Sequence, residues 1–165
     1  MMAFGKFPSF SAFIESFEAE QQRLADERER DLRTFEERVK ARREERSIVE
    51  VDALIDKRDP DDTSGAKHYQ LRIRILDVIH GDARVDADVQ RNITERTDVF
   101  LAIRFGDREG VLKGIPGLDP GVKLRLKGEW IPREQANNHG GERVSVLHFT
   151  HHPIGFTCTP QKCFS

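Results

Sequence analysis

The sequence predicts an α+β chain: a long N-terminal α-helix followed by a five-stranded antiparallel OB-like β-barrel. Three observations predict it. Residues 10–46 contain neither Gly nor Pro and are dominated by Glu, Arg, Ala, Gln and Leu, all good helix formers. From Ser47 onward the apolar residues recur with period two, the repeat of half-buried strands. The links between those strands leave no room for the crossover helices of a parallel sheet, so a small antiparallel barrel fits best. Other five-stranded barrels, SH3-like ones included, share this pattern, because periodicity does not give strand order. The chain thus divides into a charged amphipathic helix, residues 1–46, and a barrel domain, residues 47–165, that ends in a short Cys-containing tail.

The helix opens after the lead MMAFGKFP, with Ser9 placed to cap it. At about 1.5 Å per residue it would reach roughly 55 Å. Phe10, Phe13, Ile14, Phe17, Leu24, Leu32, Phe35 and Val39 form an apolar stripe that is dense at the start and broken at Gln21 and Arg28. No strict heptad is sustained, so a coiled coil is not specified. Spacings such as Glu29 with Arg33 and Glu36 with Lys40 support a solvated face, each by on the order of 0.3 kcal/mol. The Phe-rich first turns offer Phe10, Phe13 and Phe17 for self-association or for docking a protein partner.

Ile48, Val49, Val51, Leu54 and Ile55 mark a first strand, ended by the charged turn DKRDPDDTSG with Pro60 and Gly65. The second is HYQLRIRILDVIH, where Tyr69, Leu71, Ile73 and Ile75 alternate with Gln70, Arg72 and Arg74. Residues 81–94 read as a loop in which Val85 and Val89 mark one short helical turn. DVFLAIRFG supplies a third strand with Val99, Leu101, Ile103 and Phe105 on one face and Phe100, Ala102 and Arg104 on the other. After the Gly- and Pro-rich link GVLKGIPGLDPG, Val122, Leu124 and Leu126 alternate with Lys123, Arg125 and Lys127 in the fourth. Residues 132–141 supply turn chemistry before Val144, Val146, Leu147 and Phe149 resume an apolar strand.

Charged residues make up 34% of the chain yet leave a net charge of only -2, so bulk charge does not mark a polyanion binder. The distribution is uneven, with +3 over residues 67–165 and -5 over residues 1–66. No stretch approaches the roughly 20 apolar residues of a membrane span, and the aromatic N-terminus has no basic leader or apolar signal core. A cytoplasmic location and no membrane partner are expected.

The pattern GVKLRLKGEW followed by GGERVSVLHFTHHP resembles a family of small uncharacterised bacterial domains with an OB-like barrel, whose closing hairpin carries a GEW-like strand and an H-aromatic-T-H-H segment. The matching positions are Gly128, Glu129, Trp130, Gly141, His148, Phe149, Thr150, His151, His152 and Pro153. The chain departs from the pattern in the insertion PREQANNHG and in its cysteine tail, and the N-terminal helix lies outside the resemblance. The resemblance implies a fold and carries no activity.

Two chemistries are open to the barrel. Arg72, Arg74, Arg104, Lys123, Arg125 and Lys127 project from alternate strand positions as a basic surface for phosphates, and Trp130, with Tyr69, Phe100 or Phe149, offers stacking for unpaired bases. Binding of single-stranded nucleic acid is therefore the leading expectation. The other is a metal centre: His148, His151, His152, Cys158 and Cys163 carry the imidazole and thiolate ligands suited to zinc, the one cofactor the sequence suggests. Spacing opposes it, since His148 and His152 would sit about 13 Å apart in an extended strand unless the chain turns near Pro153. A Cys158–Cys163 disulfide competes for the same thiols. Glu129 beside the histidines could serve hydrolysis, but no phosphate loop, nucleophile elbow or zinc ribbon accompanies it. A binding protein is thus expected over an enzyme, and an adaptor acting through the helix is the third reading.

Overall fold

Helix α1 (Phe10–Glu29) begins where the sequence places its cap, with Ser9 Oγ accepting the Ala12 N–H at 3.1 Å. The computed structural model describes residues 3–29, 37 and 46–165. Leu32, Phe35, Val39 and the expected pairs at Arg33 and Lys40 lie outside the described residues.

The barrel strands are β1 (Ile48–Asp62), β2 (His68–His80), β3 (Val99–Arg104), β4 (Lys123–Ile131) and β5 (Val146–His148). Their order is β1-β2-β3-β5-β4, and β1 pairs with β4 to close the ring. All pairings in the ring are antiparallel except β3 with β5, where Phe100 and Leu101 run parallel to Val146 and Leu147. The expectation of an entirely antiparallel barrel is corrected on this point. The reason is geometric: strands that reverse direction at every step cannot close a ring of odd number.

Strand β1 runs straight through the segment expected to turn. It accommodates Pro60 by a register shift between Asp59 and Asp62, and the Pro60 carbonyl accepts a side-chain hydrogen bond from Gln70 at 2.7 Å. Helix α2 (Asp86–Glu95) replaces the expected loop between β2 and β3, burying Val89 and Asn92 after Val85. Helix α3 (Arg133–Asn138) fills part of the expected turn before β5, burying Ala136.

Two apolar clusters result. One fills the barrel with Val51, Leu71, Ile73, Leu101, Leu124, Leu126, Trp130 and Leu147 among its members. The other lies outside it, where Phe4, Phe10, Phe13 and Phe17 cover Phe100, Ala102, Ile131 and Val146. Strand β3 is thereby buried on both faces. The Phe10, Phe13 and Phe17 side chains are 0%, 0% and 3% exposed, so the stripe expected to seek a partner is already occupied by the chain's own barrel.

Strands β5 and β6 (Phe156–Cys158) share one edge of β4: β5 takes Glu129–Ile131 and β6 takes Arg125–Lys127. Residues 149–155 leave the ladder opposite Gly128 and return to it. Strand β7 (Cys163–Phe164) pairs with β6, and Cys158 is joined to Cys163 by a disulfide.

Candidate functional site: a cleft between the helix and the barrel

Glu129 and His148 occupy partnered positions on antiparallel strands, so the sheet register itself brings carboxylate and imidazole together, with His148 Nε2 2.7 Å from Glu129 Oε1. Both are less than a tenth exposed. Arg46, just before β1, donates to the same Glu129 oxygen at 3.2 Å and reaches Glu18 of α1 at 3.6 Å. Burial pushes the Glu129 carboxyl up, but the hydrogen bond and charge of His148, joined by Arg46, outweigh it and hold the group below the usual carboxylate range.

Glu18, Arg46 and His148 border a cleft of about 660 Å³, walled on one side by Ser11, Ile14, Glu15 and Glu18 of α1. Spacings of three, four and seven place those residues on one helical face. The opposite wall comes from the barrel end and the 149–154 excursion: His68, Arg104, Arg108, His148, Phe149 and His151. The helix is held against it by Ser11, whose backbone N–H and hydroxyl both donate to the buried Asp62 carboxylate, the former at 2.9 Å.

Burial drives the His68 imidazole down to about 4. The Asp62 charge opposes that shift and the His148 charge reinforces it. The His68 Nδ1 lies 3.0 Å from the Ala66 carbonyl, so the neutral ring donates there and keeps its Nε2 lone pair. His151 follows the same pattern. Burial lowers it, and its Nδ1 lies 3.0 Å from the His152 carbonyl.

Phe149 lines this wall, half-buried, with φ of 60°. Its ring is 5.4 Å from the His148 ring, 5.3 Å from that of His151, and 4.9 Å from the Arg46 guanidinium above it. A left-handed backbone is costly for an aromatic residue and persists only where the surroundings enforce it. Here the excursion turns sharply, with the Ile154 and Gly155 N–H groups both donating to the His151 carbonyl.

The expected basic surface is distributed differently. Arg72 is bound to Asp59 at 3.0 Å and Glu142 at 2.9 Å, and Arg74 sits 3.5 Å from Asp98 and 4.0 Å from Asp56. Arg125 and Lys123 both face Asp52, at 2.9 and 4.0 Å, and Arg104 pairs with Asp107 and Glu109 at 3.0 and 2.8 Å. Lys127 on β4 is half-buried. A phosphate approaching these strands meets carboxylates as well as cations, and of the six only Arg104 borders the cleft. Trp130 is 2% exposed and donates its indole N–H to Asp88 at 2.8 Å, which makes it a core residue and not a stacking platform.

Of the expected metal set, His148, His151 and His152 all reach the cleft, because the chain does turn after β5. Cys158 and Cys163 are spent in their disulfide and offer no thiolate, which removes them as ligands in this form. The sequence reading did not single out Glu18, Arg46 or His68. Glu18 and Arg46 are lost among many like residues of a charged helix, and His68 opens a strand whose outward face looks merely polar. Among the described residues no helix is long and apolar enough to cross a membrane. In comparisons with known proteins, no family model, no curated protein and no solved structure matches this chain.

Proposed function

We propose that this OB-like barrel binds single-stranded nucleic acid by seating one nucleotide in the cleft between α1 and the barrel end. The observation that carries the reading is Phe149, held in a left-handed conformation between two imidazoles and beneath Arg46, on the wall of a cleft of about 660 Å³. That volume lies within the roughly 300–1,000 Å³ range of small-ligand sites, enough for one nucleotide. An aromatic ring flanked by planar cationic and imidazole groups suits a base, which stacks for about 1–3 kcal/mol. Arg108, exposed on the same wall, suits its phosphate.

Fluorescence anisotropy of the full chain with labelled single-stranded DNA and RNA, at low and high salt, tests it. Binding is expected to weaken with salt. Arg108→Glu, an exposed loop change, and Phe149→Ala should each weaken it about tenfold. Arg125→Ala, at a position that does not line the cleft, should leave it unchanged. Absence of binding at low salt, or equal loss in Arg125→Ala and Arg108→Glu, would overturn the cleft as the site.

A further inference from the structure

We infer that Glu18, Glu129 and His148 form a binding site for one divalent first-row transition-metal ion of the Zn²⁺ or Mn²⁺ kind. The site stands independently of any nucleotide in the cleft. One ligand atom from each of these residues lies within 4.8 Å of the others. They come from three elements far apart in sequence: α1, β4 and β5.

Geometry and hydrogen bonding both favour an ion there. Two of the three donors are fixed by the sheet, since Glu129 and His148 are register partners and both are buried. The third is fixed by the helix, because Phe17 beside it is 3% exposed in the cluster that pins α1 to the barrel. Bonds of about 2.0–2.2 Å would draw the donors around the ion, which would take the place of the proton between Glu129 and His148. Two carboxylates and one imidazole are an oxygen- and nitrogen-rich set for a borderline divalent ion, with no thiolate to select a softer one.

Arg46 reaches both carboxylates, at 3.2 Å from Glu129 and 3.6 Å from Glu18. Glu18 Oε1 is shielded from solvent and has no hydrogen-bond partner. A buried carboxylate oxygen without a partner is costly, and a divalent ion would use it. With three protein ligands the remaining coordination positions would open on the cleft, the arrangement of a metal site that accepts an outside ligand.

The test is calorimetric titration of the untagged full chain with Zn²⁺ alone and, separately, Mn²⁺ alone, without oligonucleotide. One saturable site per chain is expected. Glu18→Gln, Glu129→Gln and His148→Gln should each weaken it by at least about tenfold. Glu18→Gln sits at the cleft rim, so it keeps the test decisive if the two buried changes impair folding, which Trp130 emission reports. No saturable binding of either ion, or binding that all three variants retain, would overturn the site. Loss of oligonucleotide binding in Phe149→Ala with metal binding intact would separate this inference from the nucleotide reading.

Discussion

Glu129 and His148 face each other across β4 and β5 as register partners, with His148 Nε2 2.7 Å from Glu129 Oε1. The pair is therefore structural as well as available for chemistry. Glu129→Ala would strand a buried imidazole and the Arg46 guanidinium together. Removing one partner of a buried pair costs about 3–5 kcal/mol, against much less for Glu129→Gln, which retains an acceptor. Urea unfolding followed by the single tryptophan, Trp130, measures both, and equal midpoints for the two variants would show that the pair does not hold the strands.

Acid should weaken the fold from about pH 6.5 downward. His68 has an ordinary value of 6.5 and is lowered to about 4 in the folded chain. Between those values the unfolded chain binds a proton that the folded chain refuses. Stability is therefore complete above pH 6.5 and falls as pH drops toward 4, by roughly 3 kcal/mol in total at about 1.4 kcal/mol per unit. His151 is shifted in the same direction and adds to the slope. Unfolding midpoints from pH 7.5 to 4.5 should fall in the native chain and fall less steeply in His68→Asn. A flat native profile would contradict the burial of a neutral imidazole.

The helix should prove inseparable from the barrel. Phe13 is fully buried among Phe4, Phe7, Phe10 and Phe17, with ring separations of 4.8 to 5.9 Å. Phe13→Ala should cost about 3–5 kcal/mol. A chain starting at residue 47 would expose Phe100, Ala102, Ile131 and Val146 together, and is expected to aggregate or to unfold without a cooperative transition. A monomeric, cooperatively melting 47–165 fragment would show that α1 is dispensable to the fold.

Reducing the disulfide should have a local effect. Cys158 and Cys163 are five residues apart, and closing so short a loop removes little unfolded-state entropy, about 2 kcal/mol at most. Unfolding with and without reductant should show this modest loss and the same cooperativity. Collapse of the whole transition on reduction would mean that β6 and β7 carry the barrel.

Periodicity made the barrel strands legible because burial on one face imposes a repeat of two. That is why HYQLRIRILDVIH matches β2 from His68 to His80 and why Leu124 and Leu126 point inward as expected. Local composition misled where pairing outweighed propensity. The run DKRDPDD reads as a turn, yet ladder bonds to β2 carry β1 past Pro60. Residues 81–94 read as a loop, yet Val85 and Val89 find the barrel core and a ten-residue helix, α2, forms. The histidines of the 148–152 segment were visible as a cluster, but their acidic partner Glu18 was not, since one glutamate on a charged helix carries no mark of its position.

By itself, then, the sequence determined a helix followed by a small barrel, the inward faces of its strands, and the concentration of imidazoles near β5. Only the tertiary structure decided that the ring contains a parallel pair, that Phe10, Phe13 and Phe17 cover β3, and that Arg72, Arg74, Arg104, Lys123 and Arg125 are paired with carboxylates. It alone brought Glu18, Arg46, His68 and His148 to one cleft and joined Glu129 to His148 and Arg46. The physical reason is range: apolar periodicity is a local property written residue by residue, whereas charge pairing and cleft formation join positions up to 130 apart, Glu18 to His148, through a register that no local pattern encodes.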